Sequence, residues 1–294
     1  SLARNPRCSS GGHMNAELGR QLLAAFDDFW MRPVDLRMLG IMRRCYGVLL
    51  LVWIGWMWVD RQLFFGDESW LPFSGSRAVV DPDTWSLYSL LPATTTSASV
   101  ALGLLSVCAM ALIGGIFSRI AAAVSFLLLI AIQHANILLI DSEDTVIRLF
   151  AFFLIFAPPP AQLRAAAADE NLPGVQRLAF PAWPLRLFQL QMCVIYFCTA
   201  IQKSDGAEWL DGTALYYVFR LNDSAKFPMP GWITESPGVI KLGTWSVLVF
   251  EFLAPVLLWL KSTRRLTIIV AVLFHLLTHY SMNLHLFHGV MLIG

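Results

Sequence analysis

The sequence predicts an all-α protein, a polytopic bundle of about seven transmembrane helices with the N-terminus inside. Hydrophobic residues make up 57% of the chain and charged residues only 14%, and mean hydropathy is +0.62. A soluble domain carries about 25% charged residues. Apolar runs of roughly 20 residues recur along the chain, and each is long enough to cross a bilayer. Basic residues are concentrated in alternate loops, as expected for a multi-span protein.

Seven apolar segments satisfy the length requirement when tilt is allowed. They cover approximately residues 42–59, 98–117, 120–140, 145–160, 184–202, 243–260 and 266–282. The seventh can run on toward the end of the chain. Residues 1–13 are polar and have no hydrophobic pattern, so we expect a cloning remnant or a disordered extension there. Residues 14–294 are predicted to form a single transmembrane domain.

Charge sets the predicted orientation. Basic residues precede the first span and fill the loops after the second, fourth and sixth: Arg37, Arg43, Arg44, Arg119, Arg164, Arg177, Arg186, Lys261, Arg264 and Arg265. Cytoplasmic loops are enriched in Lys and Arg, so these loops and the N-terminus are predicted to lie inside. The remaining loops, 60–97, 141–144 and 203–242, carry acidic and aromatic residues and are predicted to lie outside.

Composition and motifs argue against several other classes. A net charge of +1 gives no reason to expect a nucleic-acid partner. Cys8, Cys45, Cys108, Cys193 and Cys198 show no CxxC pairing, so we expect small buried hydrophobes rather than a disulfide framework. The chain lacks GxGxxG after a strand, GxxxxGK[ST] and GxSxG. Paired, broken spans in two matching halves are not evident, which disfavours a transporter.

One of only four lysines in the chain stands where the fifth apolar segment meets a group of acids. Lys203 follows IYFCTAIQ and precedes Asp205, Glu208 and Asp211. This lysine can be an interface residue that reaches water, or a buried amine that acts as a base. The three acids can hold the loop, or they can keep Lys203 charged.

Other polar residues in apolar segments are also site candidates, because ionisable groups are costly in a membrane. Glu251 is the only carboxylate of the sixth span, so it is expected to be protonated or matched with a cation. His134 and Asn136, near the outer end of the third span, can line a site or join helices. Arg148, in the fourth span, is predicted to pair with a carboxylate of the preceding DSED stretch.

The last part of the chain is rich in histidine, within FHLLTHYSMNLHLFHGV. His275 and His279 are four residues apart and therefore share a helix face, while His285 and His288 are three apart. No HExxH pattern is present, and no cysteine or carboxylate stands at a matching spacing, so no metal site is predicted. Histidines that face a polar cavity are the favoured interpretation.

Two stretches resemble the HTTM family, the membrane domain shared with vitamin K-dependent gamma-carboxylase. IYFCTAIQKSDGAEWLDG is similar to the family's Tyr-Phe pair, small residues, lysine, and then Trp and Gly after an acidic spacer. FHLLTHYSMNLHLFHGVML is similar to the family's Phe-His, Leu-Phe and Val-Met-Leu. Glu251 and the His134–Asn136 pair stand in regions where the carboxylases place an acid and an Asn/His pair.

The resemblance implies a membrane-embedded gamma-carboxylase-like enzyme, a carboxylase or lyase that couples oxidation of a reduced quinone to carboxylation of a peptide glutamate. In that chemistry a lysine deprotonates vitamin K hydroquinone, O2 converts the cofactor to a strongly basic alkoxide, and this base removes a γ-proton before CO2 adds. Lys203 matches that lysine, and His275 would line the same cavity, as the catalytic residues. The residues implied to contact the vitamin K- or menaquinone-like cofactor are His134, Asn136, Tyr196, Trp209, Glu251 and His279.

The implied partners are membrane lipids, the quinone and a peptide or protein substrate at the outer face of a bacterial-type plasma membrane. The chain also departs from the carboxylases, because Gln202 replaces the second lysine of their Lys-Lys pair and an extra residue separates Lys203 from Trp209. Their large extramembrane, propeptide-gripping domain has no counterpart among these residues. The alternative is a non-enzymatic HTTM-fold protein that binds a lipid or quinone, or assists peptide maturation.

Overall fold

A computed structural model gives the fold of residues 10–294, apart from 36, 67, 80–85, 91, 140, 163–178 and 222–224. In this described part the regular secondary structure is helical, apart from two short strands that pair antiparallel and one isolated bridge between Ala225 and Met282. The strands are β1 (Pro33–Asp35) and β2 (Ala179–Pro181). The predicted all-α class is therefore confirmed. Cys8, Arg164 and Arg177 lie outside the described residues.

The helices vary from single turns to lengths that cross a membrane. In chain order they are α1 (Ser10–Met31), α2 (Arg37–Phe64), α3 (Phe73–Val79), α4 (Thr95–Gly114), α5 (Ser118–Gln133), α6 (Ser142–Leu154), α7 (Trp183–Ser204), α8 (Ala207–Leu210), α9 (Ala214–Val218), α10 (Gly231–Thr234), α11 (Pro237–Leu257), α12 (Arg264–Ser281) and α13 (Phe287–Ile293). Short 3-10 segments lie at Leu87–Ser89 and Ile137–Leu139. Because α1 begins at Ser10, helical structure already starts within the segment 1–13.

Four helices of the described part are long and apolar enough to cross a membrane, namely α2, α4, α7 and α11. The apolar helix α5 is shorter, at 16 residues. Helices α6 and α12 correspond to the fourth and seventh predicted spans, but α6 has only 13 residues, and α12 begins with two arginines and contains two histidines. A multi-pass membrane fold is supported, whereas the count of seven spans and the orientation stay predictions.

The third predicted span is shorter than expected, because Asn136 builds a turn after α5. Its side-chain amide donates to the carbonyl oxygens of Phe64 (3.0 Å) and Leu71 (3.2 Å), and its oxygen accepts from Leu138 N (2.9 Å). The stretch 141–144, predicted as a loop, instead caps and opens α6. Asp141 and the helix residue Asp144 form a reciprocal capping box.

The core forms where small residues let helices approach. Helix α2 packs extensively on α4, α4 on α5, and α5 on α6, while α7 packs on α11. At Gly47 a Cβ would lie 2.7 Å from Ile113 Cγ1 and 2.9 Å from Ala109 O, so glycine permits the close α2–α4 contact. Tyr46 donates a hydrogen bond to the Ile147 carbonyl (3.0 Å), which joins α2 to α6.

A buried carboxylate fixes the last helix against the bundle. Glu143 Oε2 accepts hydrogen bonds from the backbone N–H groups of Leu286 and Phe287, both at 3.0 Å. These donors are at the start of α13, where backbone N–H groups have no partner within the helix. The contact brings α13 beside α6 and α12, and so closes one side of the cavity described below.

Candidate functional site

A cavity of about 480 Å³ lies among α6, α7, α11, α12 and α13. Aliphatic and aromatic side chains form most of its wall, including Val194, Leu215, Val247, Phe274 and Phe287. The polar side chains that line it are Ser142, Thr145, Gln191, Tyr196, Thr199, Lys203, Glu251, His275, Thr278 and His288. A largely apolar chamber with a few convergent polar groups is the usual form of a small-molecule site.

An ion pair crosses this cavity between α7 and α11. Lys203 Nζ, in the last turn of α7, lies 2.5 Å from Glu251 Oε1 in the middle of α11. The Lys203 side chain is 25% exposed and that of Glu251 only 5%, and Glu251 Oε2 has no hydrogen-bond partner within the described residues. The Lys203 ammonium also lies 5.1 Å from the centre of the Trp209 ring. Glu251 is therefore matched with a cation, one of the two states its sequence position allowed.

The acids that follow Lys203 do not pair with it, since Glu251 is the carboxylate within 4.0 Å among the described residues. Asp205 caps the end of α7. Asp211 Oδ1 accepts from the Thr213 backbone N–H (2.9 Å) and hydroxyl (2.6 Å). The carboxylate of Asp211 thus holds the loop after α7, which is one of the two roles that the sequence allowed.

A second polar pair lines the same cavity. The Tyr196 hydroxyl and His275 Nε2 are 2.8 Å apart, and both residues are buried. His275 Nδ1 has no hydrogen-bond partner within the described part of the chain. The ring of His288, also buried, has its centre 5.8 Å from that of His275. The structure therefore brings Lys203, Glu251, Tyr196 and His275 together at one cavity.

His288 is a cavity residue that the sequence analysis did not single out. Its Nδ1 is 3.2 Å from Thr278 Oγ1, and its Nε2 has no partner among the described residues. The sequence showed a group of histidines between residues 275 and 288. Their spacing alone does not show which of these side chains face the interior of the bundle. The turn at His285, where φ is +23°, lets α13 fold back so that His288 meets α12.

Three predicted cofactor contacts do not line the cavity. His279 Nε2 is 3.3 Å from Lys226 Nζ, on the exposed side of α12. His134 Nε2 is 2.9 Å from Arg148 Nη1, so Arg148 contacts this histidine, with Asp144 acting on it only through its charge. Asn136 holds the turn after α5. His134 and Asn136 thus make contacts between helices and loops, whereas the ring of His279 lies 5.5 Å from that of the cavity residue His288.

Two more buried acids lie at the start of α6, before the apolar part of that segment. Burial, followed by the charges of Asp144 and Asp141, raises the pKa of Glu143 to about 7. Burial likewise raises the pKa of Asp144 to about 6, although Asp144 accepts a hydrogen bond from Trp53 Nε1 at 2.7 Å.

Within the described residues, no group of three or more metal-ligating side chains is close enough to hold a metal ion.

The fold and the site define a multi-pass α-helical membrane protein with a lysine–glutamate pair in a mainly apolar cavity. The HTTM domain model matches residues 31–294, so the chain belongs to the HTTM domain family. It is also similar to the sporulation-delaying protein SdpB of Bacillus subtilis (strain 168), with 28% identity over 100 residues. That segment is 31% of this chain and 30% of the relative's length. No solved structure matches the chain.

Proposed function

We propose that this HTTM protein is a gamma-carboxylase-like membrane enzyme that uses Lys203 as a base toward a reduced quinone. The single observation that carries the proposal is the Lys203–Glu251 pair, which faces a mainly apolar cavity of about 480 Å³. A structural ion pair needs no such cavity, whereas a lipid-soluble substrate does. The product proposed is a carboxylated glutamate in a peptide presented at the outer face.

The residues present suit a reduced quinone. Flat apolar and aromatic surfaces, such as Phe274 and Phe287, can pack on a quinone ring and its isoprenoid tail. The cavity also contains buried polar atoms that lack a partner within the described residues, on Glu251 (Oε2), His275 (Nδ1) and His288 (Nε2). Buried polar groups normally have partners, so these atoms favour a polar ligand that completes their hydrogen bonds.

Glu251 supplies the means by which Lys203 can become a base. Nζ donates a hydrogen bond to Oε1 at 2.5 Å, and transfer of that proton to Glu251 would turn the two charges into a neutral amine and a neutral acid. Charge separation is costly in an apolar site, so exclusion of water by a bound ligand favours the neutral pair. The amine of Lys203 can then accept a proton from a ligand hydroxyl.

Tyr196 and His275 can hold a second oxygen of the ligand. The imidazole of His275 carries one proton when neutral, so with Nε2 bonded to the Tyr196 hydroxyl, Nδ1 remains free to face a ligand. When bound, a reduced quinone would supply the oxygen-dependent strong base that a protein side chain cannot provide. The chain's own groups bind it, orient it and take up its first proton.

The alternative function is binding without turnover. The close Lys203–Glu251 contact also joins α7 to α11, and an ammonium held by a carboxylate can serve packing alone. In that case the cavity would hold a lipid or quinone, and any contribution to peptide maturation would be indirect.

A substitution that keeps the charge but removes the base separates the two functions. Lys203→Arg keeps a cation beside Glu251, but a guanidinium stays protonated and cannot act as a base. In proteoliposomes with vitamin K hydroquinone, O2, labelled CO2 and a glutamate-containing peptide, we expect Lys203→Arg to lower label incorporation by about 100-fold or more. The melting temperature should stay near that of the wild type.

Lys241→Arg is the matched control, because Lys241 also lies over a tryptophan, 5.7 Å from the centre of the Trp245 ring, but is outside the cavity. It should retain activity. A wild-type protein that binds the hydroquinone but incorporates no label, or a Lys203→Arg variant with full activity, would reject the enzymatic proposal. The first result would favour binding alone.

A further inference from the structure

A second cavity, of about 340 Å³, opens at the end of the bundle that carries the arginine-rich loops. Its mouth is formed by Arg186, Gln189, Trp259 and Arg264, where α7 and α12 begin. The rest of its wall is mainly apolar, with Met192, Ile268, Val272 and Met291 among its residues. The cavity thus has a cationic entrance and an apolar interior, which matches the two parts of an amphiphile.

Neutral groups hold the two arginines of the entrance in place. Arg186 donates to the Phe29 carbonyl (3.2 Å) and to Gln189 Oε1 (2.7 Å), and its guanidinium lies over the rings of Phe29 and Trp259. Arg264 donates to the carbonyls of Leu258 (2.8 Å) and Trp259 (3.1 Å). These partners fix the side chains without cancelling their charge.

The entrance carries an excess of positive charge. Arg32 and Arg264 repel Arg186, and Asp28 is the acid that attracts it. Among the residues that the structure describes, no carboxylate lies within 4.0 Å of any of these three guanidinium groups. The N-terminal ends of α7 and α12 add further partial positive charge. Like charges held together cost free energy, which a bound anion would recover.

We propose that this cavity binds one anionic phospholipid, with its phosphate at Arg186 and Arg264 and an acyl chain along the apolar wall. Guanidinium groups match phosphate oxygens in a two-pronged geometry. Trp259 stands beside them, as aromatic residues do at headgroup level. Basic pockets between membrane helices recognise anionic headgroups in this way. The proposal stands on the α7–α12 entrance and is independent of any chemistry at Lys203.

Binding can be measured on the full chain in mild detergent by native mass spectrometry. The probes are phosphatidylglycerol, phosphatidylcholine with the same acyl chains, and glycerol 3-phosphate. We expect phosphatidylglycerol to bind more tightly than phosphatidylcholine, and Arg186→Gln/Arg264→Gln to weaken its binding by about 30-fold, which is roughly a fivefold factor for each arginine. Glycerol 3-phosphate alone should not compete, because it lacks the acyl chain.

The matched control is Lys261→Gln/Arg265→Gln, which removes two exposed charges, from the loop before α12 and from its first turn, but leaves the cavity unchanged. It should keep the preference for phosphatidylglycerol. If the arginine variant does not fold, Val272→Trp fills the apolar wall, keeps both arginines and should also lower lipid retention. Equal binding of the two lipids, unchanged binding in both cavity variants, or full competition by glycerol 3-phosphate would overturn the proposal.

Discussion

At the scale of single residues, the structure explains why a lysine follows an apolar helix in this chain. Lys203 and Glu251 are 48 positions apart, yet the α7–α11 contact joins them at 2.5 Å. Sequence position identified both residues as costly in a membrane, but not as partners. Tertiary packing decides which face of each helix turns toward the other. That packing cannot be predicted from a single sequence. The role of Asp205, Glu208 and Asp211 was left open for the same reason.

The pairing predicts strong coupling between the two side chains. Lys203→Met leaves a carboxylate buried without its cation and should lower the free energy of unfolding by about 1–3 kcal/mol. This is less than the loss of a fully buried pair, because Lys203 keeps a quarter of its side-chain exposure. Lys203→Met/Glu251→Gln should recover most of the loss, as judged by unfolding in detergent. If the losses of the two single variants simply add in the double variant, the two residues are not coupled.

At the scale of helices, the apolar segments of the sequence predicted where most of the long helices lie, but not the residues at which they begin and end. The predicted spans at 184–202 and 98–117 correspond to α7 and α4, because long apolar runs are helical in any membrane context. The predicted span 120–140 ends early, at Gln133, since Asn136 bonds to backbone carbonyls of distant loops. The fold-back of α13 was also missed, because it depends on Glu143, a residue more than 140 positions away.

The contact between Glu143 and α13 predicts a stability effect with a matched control. Glu143→Ala leaves the N–H groups of two half-buried residues without their acceptor and should cost about 1–3 kcal/mol in unfolding free energy. Glu143→Gln keeps an oxygen acceptor and should cost less. Because burial raises the pKa of Glu143 to about 7 from 4.5, the folded state binds the proton more tightly than the unfolded chain. Stability should therefore fall as pH rises from about 4.5 to about 7.

The pH effect is measurable as the melting temperature of the protein across that window. Glu143→Gln should flatten the curve, although the neighbouring Asp144, with a pKa raised to about 6, keeps part of the slope. Glu235→Gln, at an exposed position, should leave the curve unchanged. A Glu143→Gln variant with the wild-type slope would show that Glu143 does not titrate in this range.

At the scale of the whole molecule, composition was sufficient to predict an all-α membrane protein. The family follows from the match of the HTTM domain model over residues 31–294. The arrangement of the site was not predictable to the same degree. Lys203, Glu251, Tyr196 and His275 converge on one cavity, whereas His134, Asn136 and His279 lie elsewhere. Whether a polar residue lines the cavity depends on how its helix is rotated about its own axis. Tyr196 and His275 line both cavities, the one with the arginines and the one with Lys203.

The central claim is that a reduced quinone lies beside Lys203. With only four lysines in the chain, NMR of protein labelled with 13C and 15N in lysine side chains can follow each amine separately. Addition of vitamin K hydroquinone should shift the Lys203 side-chain resonance, with little change at Lys241, and Glu251→Gln should alter this response. A Lys203 signal that stays the same at saturating hydroquinone, or equal shifts at all four lysines, would contradict the account.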